Sequence, residues 1–234
     1  MYRKSILIFS IIFLFFSNFP ALAIENDFGL WVPTYINLPI TEKVKSQLEI
    51  NPRIQNNVTE FSQLLVRPSV GYQLTKELSV WQGYAWVTNY IPKFVNENRI
   101  WQQVLYEKHF KRFPRFSLVN RFRVEERFIH DINGVPVRLR NLLRLQYTFD
   151  KAQKWSFVFF DEPFINPGRT PAGPSGIDQN RFFVGFNRKI TKDFSYDFGY
   201  LMQYINRSSP VSDRLNHNIL INFYLTLPEL LKNK

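Results

Sequence analysis

From Glu97 to Leu225 the chain alternates apolar and polar residues, in runs of about a dozen residues separated by short charged turns or longer loops. Alternation with a period of two gives a β-strand two chemically different faces, because successive side chains point to opposite sides of a sheet. Many successive strands without a helical pattern between them favour a sheet that closes on itself. The sequence therefore predicts an all-β, antiparallel up-and-down transmembrane barrel of about 10–12 strands.

The strand boundaries follow from the alternation. The clearest run, from Val137 to Phe149, sets leucines and aromatic residues against Arg138, Arg140 and Arg144. The predicted strands are 28–40, 44–54, 61–74, 78–90, 97–110, 116–129, 137–149, 154–165, 179–190, 194–204 and 215–227. Bacterial single-chain barrels normally have an even number of strands. Either the proline-interrupted first run is not a full wall strand, giving ten, or one strand is missing from this set, giving twelve.

The connections between the predicted strands alternate in length. Tight turns fall at 75–77, 111–114, 150–154 and 191–193, and longer loops fall at 91–97, 130–136, 167–177 and 207–214. Short turns at one rim and longer loops at the other are typical of outer-membrane barrels. We therefore expect short periplasmic turns and longer extracellular loops.

Residues 1–23 have the pattern of a cleaved signal peptide. Arg3 and Lys4 precede an apolar run, and Ala21-Leu22-Ala23 has the small-x-small pattern of a cleavage site. Since the apolar run is too short to span a membrane comfortably, cleavage is favoured over anchoring. We expect residues 24–234 to form a single barrel domain in the bacterial outer membrane.

Charge and cysteine content narrow the choice of partners. The net charge is +11, of which the predicted signal contributes two positive charges, and cysteine is absent. A strongly basic exported chain favours anionic partners, such as the phosphates of lipopolysaccharide or anionic solutes. We expect contacts with outer-membrane lipid and lipopolysaccharide, contact with the barrel-assembly machinery during biogenesis, and no nucleic acid.

Arginines and glutamates share the polar face of the strands. Each arginine directed at lipid near the bilayer midplane would cost about 2–4 kcal/mol, so this face is expected to line the lumen. The predicted charged network comprises Glu49, Arg53, Arg67, Arg99, Glu107, Arg121, Arg123, Glu125, Arg127, Arg138, Arg140, Arg144, Glu162 and Arg181.

Aromatic residues collect near the strand ends on the apolar face. Two belts at the two ends suit the headgroup regions of a bilayer. The predicted girdle comprises Trp86, Tyr90, Phe110, Phe116, Phe128, Tyr147, Phe149, Trp155, Phe194, Tyr196 and Tyr204. A soluble periplasmic barrel or sandwich, with the apolar face as its core, would explain the alternation but would leave the belts and the loop asymmetry unexplained.

The charged lumen leaves two functional readings open. It could line a small polar channel that favours anions, or its charges could pair across a filled lumen and serve structure alone. Bidentate pairing with carboxylates makes arginine suited to the second reading, and the excess of arginine over glutamate favours the first.

An enzymatic alternative, a lipid-modifying hydrolase or acyltransferase, would need a base beside a hydroxyl and a carboxylate. The candidate bases are His109, His130 beside Asp131, and His217 near Asp213. Ser208, Ser209 and Ser212 are the nearby hydroxyls. No catalytic signature accompanies them, and the sequence predicts a non-enzyme with no catalytic residue, cofactor or metal.

Several short strings occur in an order that resembles a known bacterial family. The most specific are Glu97-Asn98-Arg99-Ile100-Trp101-Gln102-Gln103 and Asp178-Gln179-Asn180-Arg181, with Gly83-Tyr84 and Gly199-Tyr200 in their expected places. They resemble the family whose domain of unknown function is numbered 2490, over nearly the whole chain after the signal. The resemblance implies an outer-membrane β-barrel of uncharacterised role, and it brings no activity or ligand with it.

Overall fold

The structure, a computed structural model, describes residues 24–207 and 211–228, and these form twelve strands and no helix. The predicted signal peptide therefore lies outside the described residues. The strands are β1 (Ile24–Trp31), β2 (Thr34–Pro39), β3 (Val44–Gln55), β4 (Glu60–Gln73), β5 (Leu78–Asn89), β6 (Val95–Phe110), β7 (Phe113–Ile129), β8 (Val137–Thr148), β9 (Trp155–Asn166), β10 (Gly176–Lys189), β11 (Phe194–Ile205) and β12 (Asp213–Thr226). Within the described ranges there is no helix long and apolar enough to cross a membrane.

All strands belong to one sheet, in which each strand from β3 to β12 pairs antiparallel with the next along the chain. The sheet closes because β1 and β2 both pair with β3 on one side and with β12 on the other. These two short strands are one wall strand interrupted at Val32 and Pro33, where proline lacks the N–H that a ladder needs. The barrel prediction is confirmed, and the wall has eleven strands.

The closing pair departs from the predicted all-antiparallel barrel. β12 runs parallel to β1 and β2, with Trp31 opposite Leu220 and Tyr35 opposite Tyr224. In a meander each strand reverses the direction of the one before it. With an odd number of strands, the first and last therefore run in the same direction where they meet and close the barrel, at the contact called the seam from here on. The expectation of an even number, ten or twelve, was therefore wrong, and the barrel joins the minority with an odd count.

The connections define two rims. The tight-turn rim carries the connections 40–43, 74–77, 111–112, 149–154 and 190–193, and the loop rim carries 56–59, 90–94, 130–136, 167–175 and 206–212. The connection 56–59 is an exception on the loop rim, because it is short. There Asn56, Asn57 and Val58 have φ values of 53°, 56° and 63°. Asp27 on β1 stabilises this turn by accepting hydrogen bonds from the amides of Asn56 and Asn57 at 3.2 and 3.1 Å.

The inner and outer faces of the wall differ sharply in chemistry. Large apolar side chains on the outer face are open, such as Val184 (50% exposed) and Val104 (43% exposed), whereas Glu125 inside is fully buried. A soluble barrel with an apolar core requires the opposite arrangement. The interior is polar apart from two apolar clusters, one around Phe183 and Leu220 and the other around Trp101.

Glycine makes room for the larger interior rings. A Cβ atom at Gly83 would lie 2.1 Å from the ring of Trp101, which occupies the neighbouring position on β6. Glycine is therefore required at this position so that the indole can lie flat against the inner wall. The indole in turn forms a surface on which an arginine packs.

Candidate functional site: the arginine-lined lumen

The residues of the predicted charged network lie on the inner face, and with one exception they are buried or nearly so. The exception is Glu107, which borders the inner cavity close to the tight-turn rim but is exposed to solvent. Its carboxylate forms no ion pair with any side chain in the described ranges. Glu107 thus borders the lumen without joining an ion pair among the described residues, and its part in a paired network stays a prediction.

Glu125 on β7 is the centre of the largest group of ion pairs. One carboxylate oxygen accepts a hydrogen bond from Arg140 at 2.5 Å, and the other accepts two from Arg138 at 2.7 and 3.3 Å. Arg99 and Arg123 lie 3.8 and 3.7 Å away. Cross-strand register produces the first contact, since Glu125 lies directly opposite Arg138. Such multiply bonded carboxylates are the setting in which buried arginines are tolerated.

Glu162 on β9 is a second centre, and Arg140 connects it to Glu125. Arg140 donates to one oxygen of Glu162 at 2.7 and 3.1 Å, and Arg121 donates to the same oxygen at 2.6 Å. Arg181 lies 3.6 Å from the other oxygen. The network thus runs along the inner wall over the four neighbouring strands β7 to β10.

Two acidic centres were missed in the sequence-based set. Glu97 at the start of β6 accepts two hydrogen bonds from Arg99, at 2.7 and 2.9 Å, and two from Arg127, at 2.5 and 3.1 Å. Asp197 on β11 receives Arg144 at 2.5 and 3.2 Å. Alternation placed Asp197 on the polar face, so parity could have identified it, whereas Glu97 was assigned to the end of a loop.

Two other inner arginines have no carboxylate at hydrogen-bonding distance among the described residues. Arg53 donates to two side-chain amide oxygens at 2.6 and 3.3 Å, and Arg123 donates twice to one amide oxygen at 2.6 and 3.0 Å. Each lies on an aromatic face, with the guanidinium carbon of Arg53 3.6 Å from the ring centre of Trp31 and that of Arg123 4.0 Å from that of Trp101. Cation–π contact stabilises these charges where carboxylates do not.

The lumen contains two cavities. The larger, about 540 Å³, is bordered by turn residues 191–193 and so reaches the tight-turn rim. The smaller, about 240 Å³, is bordered by Gln55 and Ile91 and reaches the loop rim. The side chains that border both cavities, and so form the neck between them, are Trp31, Arg53, Arg67, Arg140 and Arg181.

The walls of both cavities are strongly cationic. Nine lysines and arginines against four acidic residues border the larger cavity, and eight arginines against Glu97 alone border the smaller one. Charges of one sign in a narrow cleft raise the local concentration of ions of the opposite sign. Cationic side chains therefore outnumber acidic ones along both cavities.

The residues of the predicted girdle lie on the outer face near the strand ends. Around the tight-turn rim their rings contact one another, with centroids 6.3 Å apart for Phe110 and Phe116 and again for Phe116 and Tyr147. The members near this rim are Phe110, Phe116, Tyr147, Phe149, Trp155, Phe194 and Tyr196; those near the loop rim are Trp86, Tyr90, Phe128 and Tyr204. At the loop rim Tyr90 packs against Phe61 at 5.1 Å.

Among the described residues, the candidate histidines His130 and His217 lie apart from each other and outside the lumen. His130 contacts Asp131 at 3.3 Å, but both side chains are open to solvent in the connection 130–136. His217 lies on the outer face, where Nδ1 contacts the hydroxyl of Tyr200 at 2.5 Å, and Asp213 is bonded to Tyr204 instead. Ser208 and Ser209 lie outside the described residues, and within those residues no group of acidic and histidine side chains could hold a metal.

Comparison with known proteins identifies the family. Residues 28–216 match the family described as "Protein of unknown function (DUF2490)". The chain belongs to this family. The resemblance noted in the sequence is thereby confirmed, and the matched segment runs from within β1 to the first residues of β12.

The chain is also similar to two other proteins. An uncharacterized protein of Methylorubrum extorquens is 28% identical over 206 residues, which cover 86% of this chain and 88% of that protein. The solved structure titled as the NanC porin superposes with a TM-score of 0.52 at 10% identity, covering 86% of this chain and 99% of the porin chain. At that identity the likeness concerns the fold alone, which is porin-like.

Proposed function

We propose that this protein is a β-barrel of the bacterial outer membrane whose arginine-rich lumen takes up small anionic solutes. The observation that carries the proposal is the distribution of charge and apolar surface. Guanidinium groups lie inside, and large apolar side chains such as Val184 and Val104 are open outside. This arrangement is unfavourable in water and favourable in a bilayer.

The outer surface supports the membrane assignment in detail. Aromatic side chains gather at both ends of the strands, where a headgroup region would lie. We place the tight turns in the periplasm and the longer loops outside the cell, with lipid and lipopolysaccharide against the barrel. Export would require cleavage of residues 1–23, and insertion would require the barrel-assembly machinery.

The test of location is fractionation with a gel run before and after heating. A folded outer-membrane barrel is expected in the outer envelope and should migrate differently once boiled. Recovery in the soluble periplasmic fraction, with unchanged migration, would remove the membrane proposal.

The charge of the lumen supports anions as the solutes. Cationic residues outnumber acidic residues in both cavities, and the neck between them is bordered by four arginines. A solute that passes from one cavity to the other must therefore contact guanidinium groups. In planar bilayers we expect small currents whose reversal potential in a salt gradient favours chloride over potassium.

A closed, structural barrel is the second candidate, and one observation favours it. Arg144 on β8 donates to Asp197 on β11, three strands away, so that an ion pair crosses the lumen. If this crossing closes the lumen, insertion into a bilayer produces no current at any voltage that the bilayer tolerates. Absence of current from protein shown to be folded would select this candidate.

We propose no enzymatic activity, because among the described residues His130 and its neighbour Asp131 are open to solvent and His217 lies on the outer face against Tyr200. Lipid A is therefore expected to keep its mass in cells that lack or overproduce the protein. A changed lipid A mass in either strain would reopen the enzymatic alternative.

A further inference from the structure

The inner end of the larger cavity contains hydrogen-bond donors without acceptors. Among the described residues, the buried atoms Nε of Arg67, Nε of Arg121 and Nη1 of Arg123 have no hydrogen-bond partner. The three side chains border the same cavity and are 7%, 19% and 3% exposed. A buried donor left unsatisfied costs about 1–3 kcal/mol, so three in one place indicate that an acceptor belongs there.

The three arginines are also near enough to affect one another electrostatically. Arg67 and Arg121 both act on Arg123, and Glu49 is the acid that faces all three. One carboxylate oxygen of Glu49 accepts a hydrogen bond from Arg67 at 2.7 Å, and the other accepts one from the side-chain amide of Asn51 at 3.1 Å. Arg121 also donates to Glu162 at 2.6 Å, and Arg123 lies 3.7 Å from Glu125. Since Arg138, Arg140 and Arg181 share these two carboxylates, positive charge remains in excess in a narrow space.

Only acceptors can satisfy this group, because arginine has no acceptor atom of its own. A neutral hydroxylated solute could meet the donors but not the charge. A carboxylate or phosphate group meets both, since its oxygens accept paired hydrogen bonds from guanidinium groups. The indole of Trp101 holds Arg123 from behind, which leaves the guanidinium in place to receive such a group.

We propose that Arg67, Arg121 and Arg123 form a binding site for the oxyanion group of a small solute, a carboxylate or a phosphate. This inference rests on the proposed function, and it names the residues that bind the anionic solute and the chemical group that they bind. Binding at this site does not require the neck to be open, so it holds for either a channel or a closed barrel.

The experiment measures binding to the full chain folded in detergent micelles, through the fluorescence of its tryptophans. Sodium phosphate and sodium acetate are titrated separately against sodium chloride at constant ionic strength. Because Trp101 and Trp31 lie against inner arginines, occupation of the site should change their emission. Saturable binding of phosphate or acetate supports the site, and the anion that binds more tightly decides between phosphate and carboxylate.

The variant Arg123→Gln removes the charge whose hydrogen bonds go only to an amide, and it should weaken binding at least tenfold. Lys192→Gln is the matched control, because it removes one positive charge from the mouth of the same cavity, where the side chain is 88% exposed. It should change affinity less than twofold. Folding of each variant is checked by the shift between heated and unheated gels.

If Arg123→Gln does not fold, Arg121→Gln replaces it, since that side chain is more exposed and should also lose at least fivefold in affinity. Failure of wild-type protein to bind either anion saturably would overturn the inference. Equal loss in the Lys192→Gln control would also overturn it, because the effect would then be one of general charge. Neither result depends on whether the protein conducts current in a bilayer. The binding site and the proposed channel can therefore be refuted independently.

Discussion

Two groups of arginines share the same lumen and the same strand parity but differ in what holds them. The carboxylate-paired arginines (Arg99, Arg138 and Arg140) surround Glu125 and donate to carboxylate oxygens. The amide-held arginines (Arg53 and Arg123) donate to side-chain amides and rest on tryptophan faces. Both groups are less than a tenth exposed.

The difference shows that a buried arginine in a barrel can serve two purposes. Taking a charge out of water is costly, and a bidentate carboxylate offsets that cost within the protein. The amide-held arginines keep most of their charge uncompensated, so an anion from solution still gains by approaching them. Under the proposed function, the paired group stabilises the wall and the amide-held group receives the solute.

The largest effect is expected where the paired group loses its centre. Glu125→Gln leaves Arg138 and Arg140 with one or more buried, unmatched charges. It should lower the free energy of unfolding by about 3–5 kcal/mol, the usual cost of breaking a buried pair. The measurement is equilibrium unfolding by denaturant of the barrel in phospholipid vesicles, followed by tryptophan fluorescence.

Glu107→Gln is the control for that variant. It makes the same chemical change on the same face, but at an exposed site without an ion pair in the described residues. Its stability should match that of the wild type. Equal losses in the two variants would mean that the Glu125 centre is no more important than a mouth residue.

The next effect concerns the aromatic support of the amide-held group. Gly83→Ala places a methyl group against the ring of Trp101, so Trp101 and Arg123 must shift. Overpacking of this kind should cost about 1–3 kcal/mol of unfolding free energy. Gly168→Ala, in a loop with open space around it, should cost almost nothing in the same assay. A neutral Gly83→Ala would contradict the close packing described here.

A smaller effect on stability is expected within the amide-held group. Arg53→Gln removes a buried charge that has no carboxylate at ion-pair distance. The variant loses the cation–π contact, but it no longer bears the cost of taking a charge out of water, and the two effects nearly cancel. The change in unfolding free energy should be about 1 kcal/mol or less. Arg138→Gln should cost at least twice as much, because Glu125 loses a partner that donates twice to one of its oxygens. If conduction occurs, Arg53→Gln should also reduce the preference for chloride in the reversal potential.

The smallest effect lies outside the lumen. In the tight turn before β5, the hydrogen bond from Lys108 holds the pKa of the Glu77 carboxyl below its usual value of 4.5. A lowered folded-state pKa means that this contribution to stability is complete above the ordinary pKa and is lost as pH falls through the folded-state pKa. Between pH 6 and about pH 3, the free energy of unfolding should therefore fall less steeply for Glu77→Gln than for the wild type. Parallel pH profiles of the unfolding free energy in the two proteins would mean that the Glu77–Lys108 pair does not contribute to stability.

Much of the fold could be predicted because alternation in sequence is directly the alternation of two faces. The eleven predicted runs match the wall strands to within a few residues, and the arginines of β7 and β8 lie inside as their parity requires. The direction of the seam could not be predicted in this way. Alternation has the same period whichever way a strand runs, so the parallel pairing of β1 and β2 with β12 left no trace in the pattern.

The partners of the inner arginines were harder to predict than their burial. Which carboxylate a guanidinium reaches depends on register and on contacts across the lumen, as when Arg144 on β8 meets Asp197 on β11. The inner aromatics were missed for a related reason. Trp31, Trp101 and Phe164 occupy polar-face positions where alternation predicts hydrophilic residues, and in the structure an arginine stacks on each of them.

The central claim is that the apolar face meets lipid while the arginine face meets water, and site-directed spin labelling tests it most directly. The absence of cysteine allows single cysteines at Val184 on the outer face of β10 and at Ser195, which borders the larger cavity. In vesicles, the label at Val184→Cys should be relaxed by oxygen dissolved in the bilayer, and the label at Ser195→Cys by a water-soluble nickel complex. The reverse pattern would contradict the account.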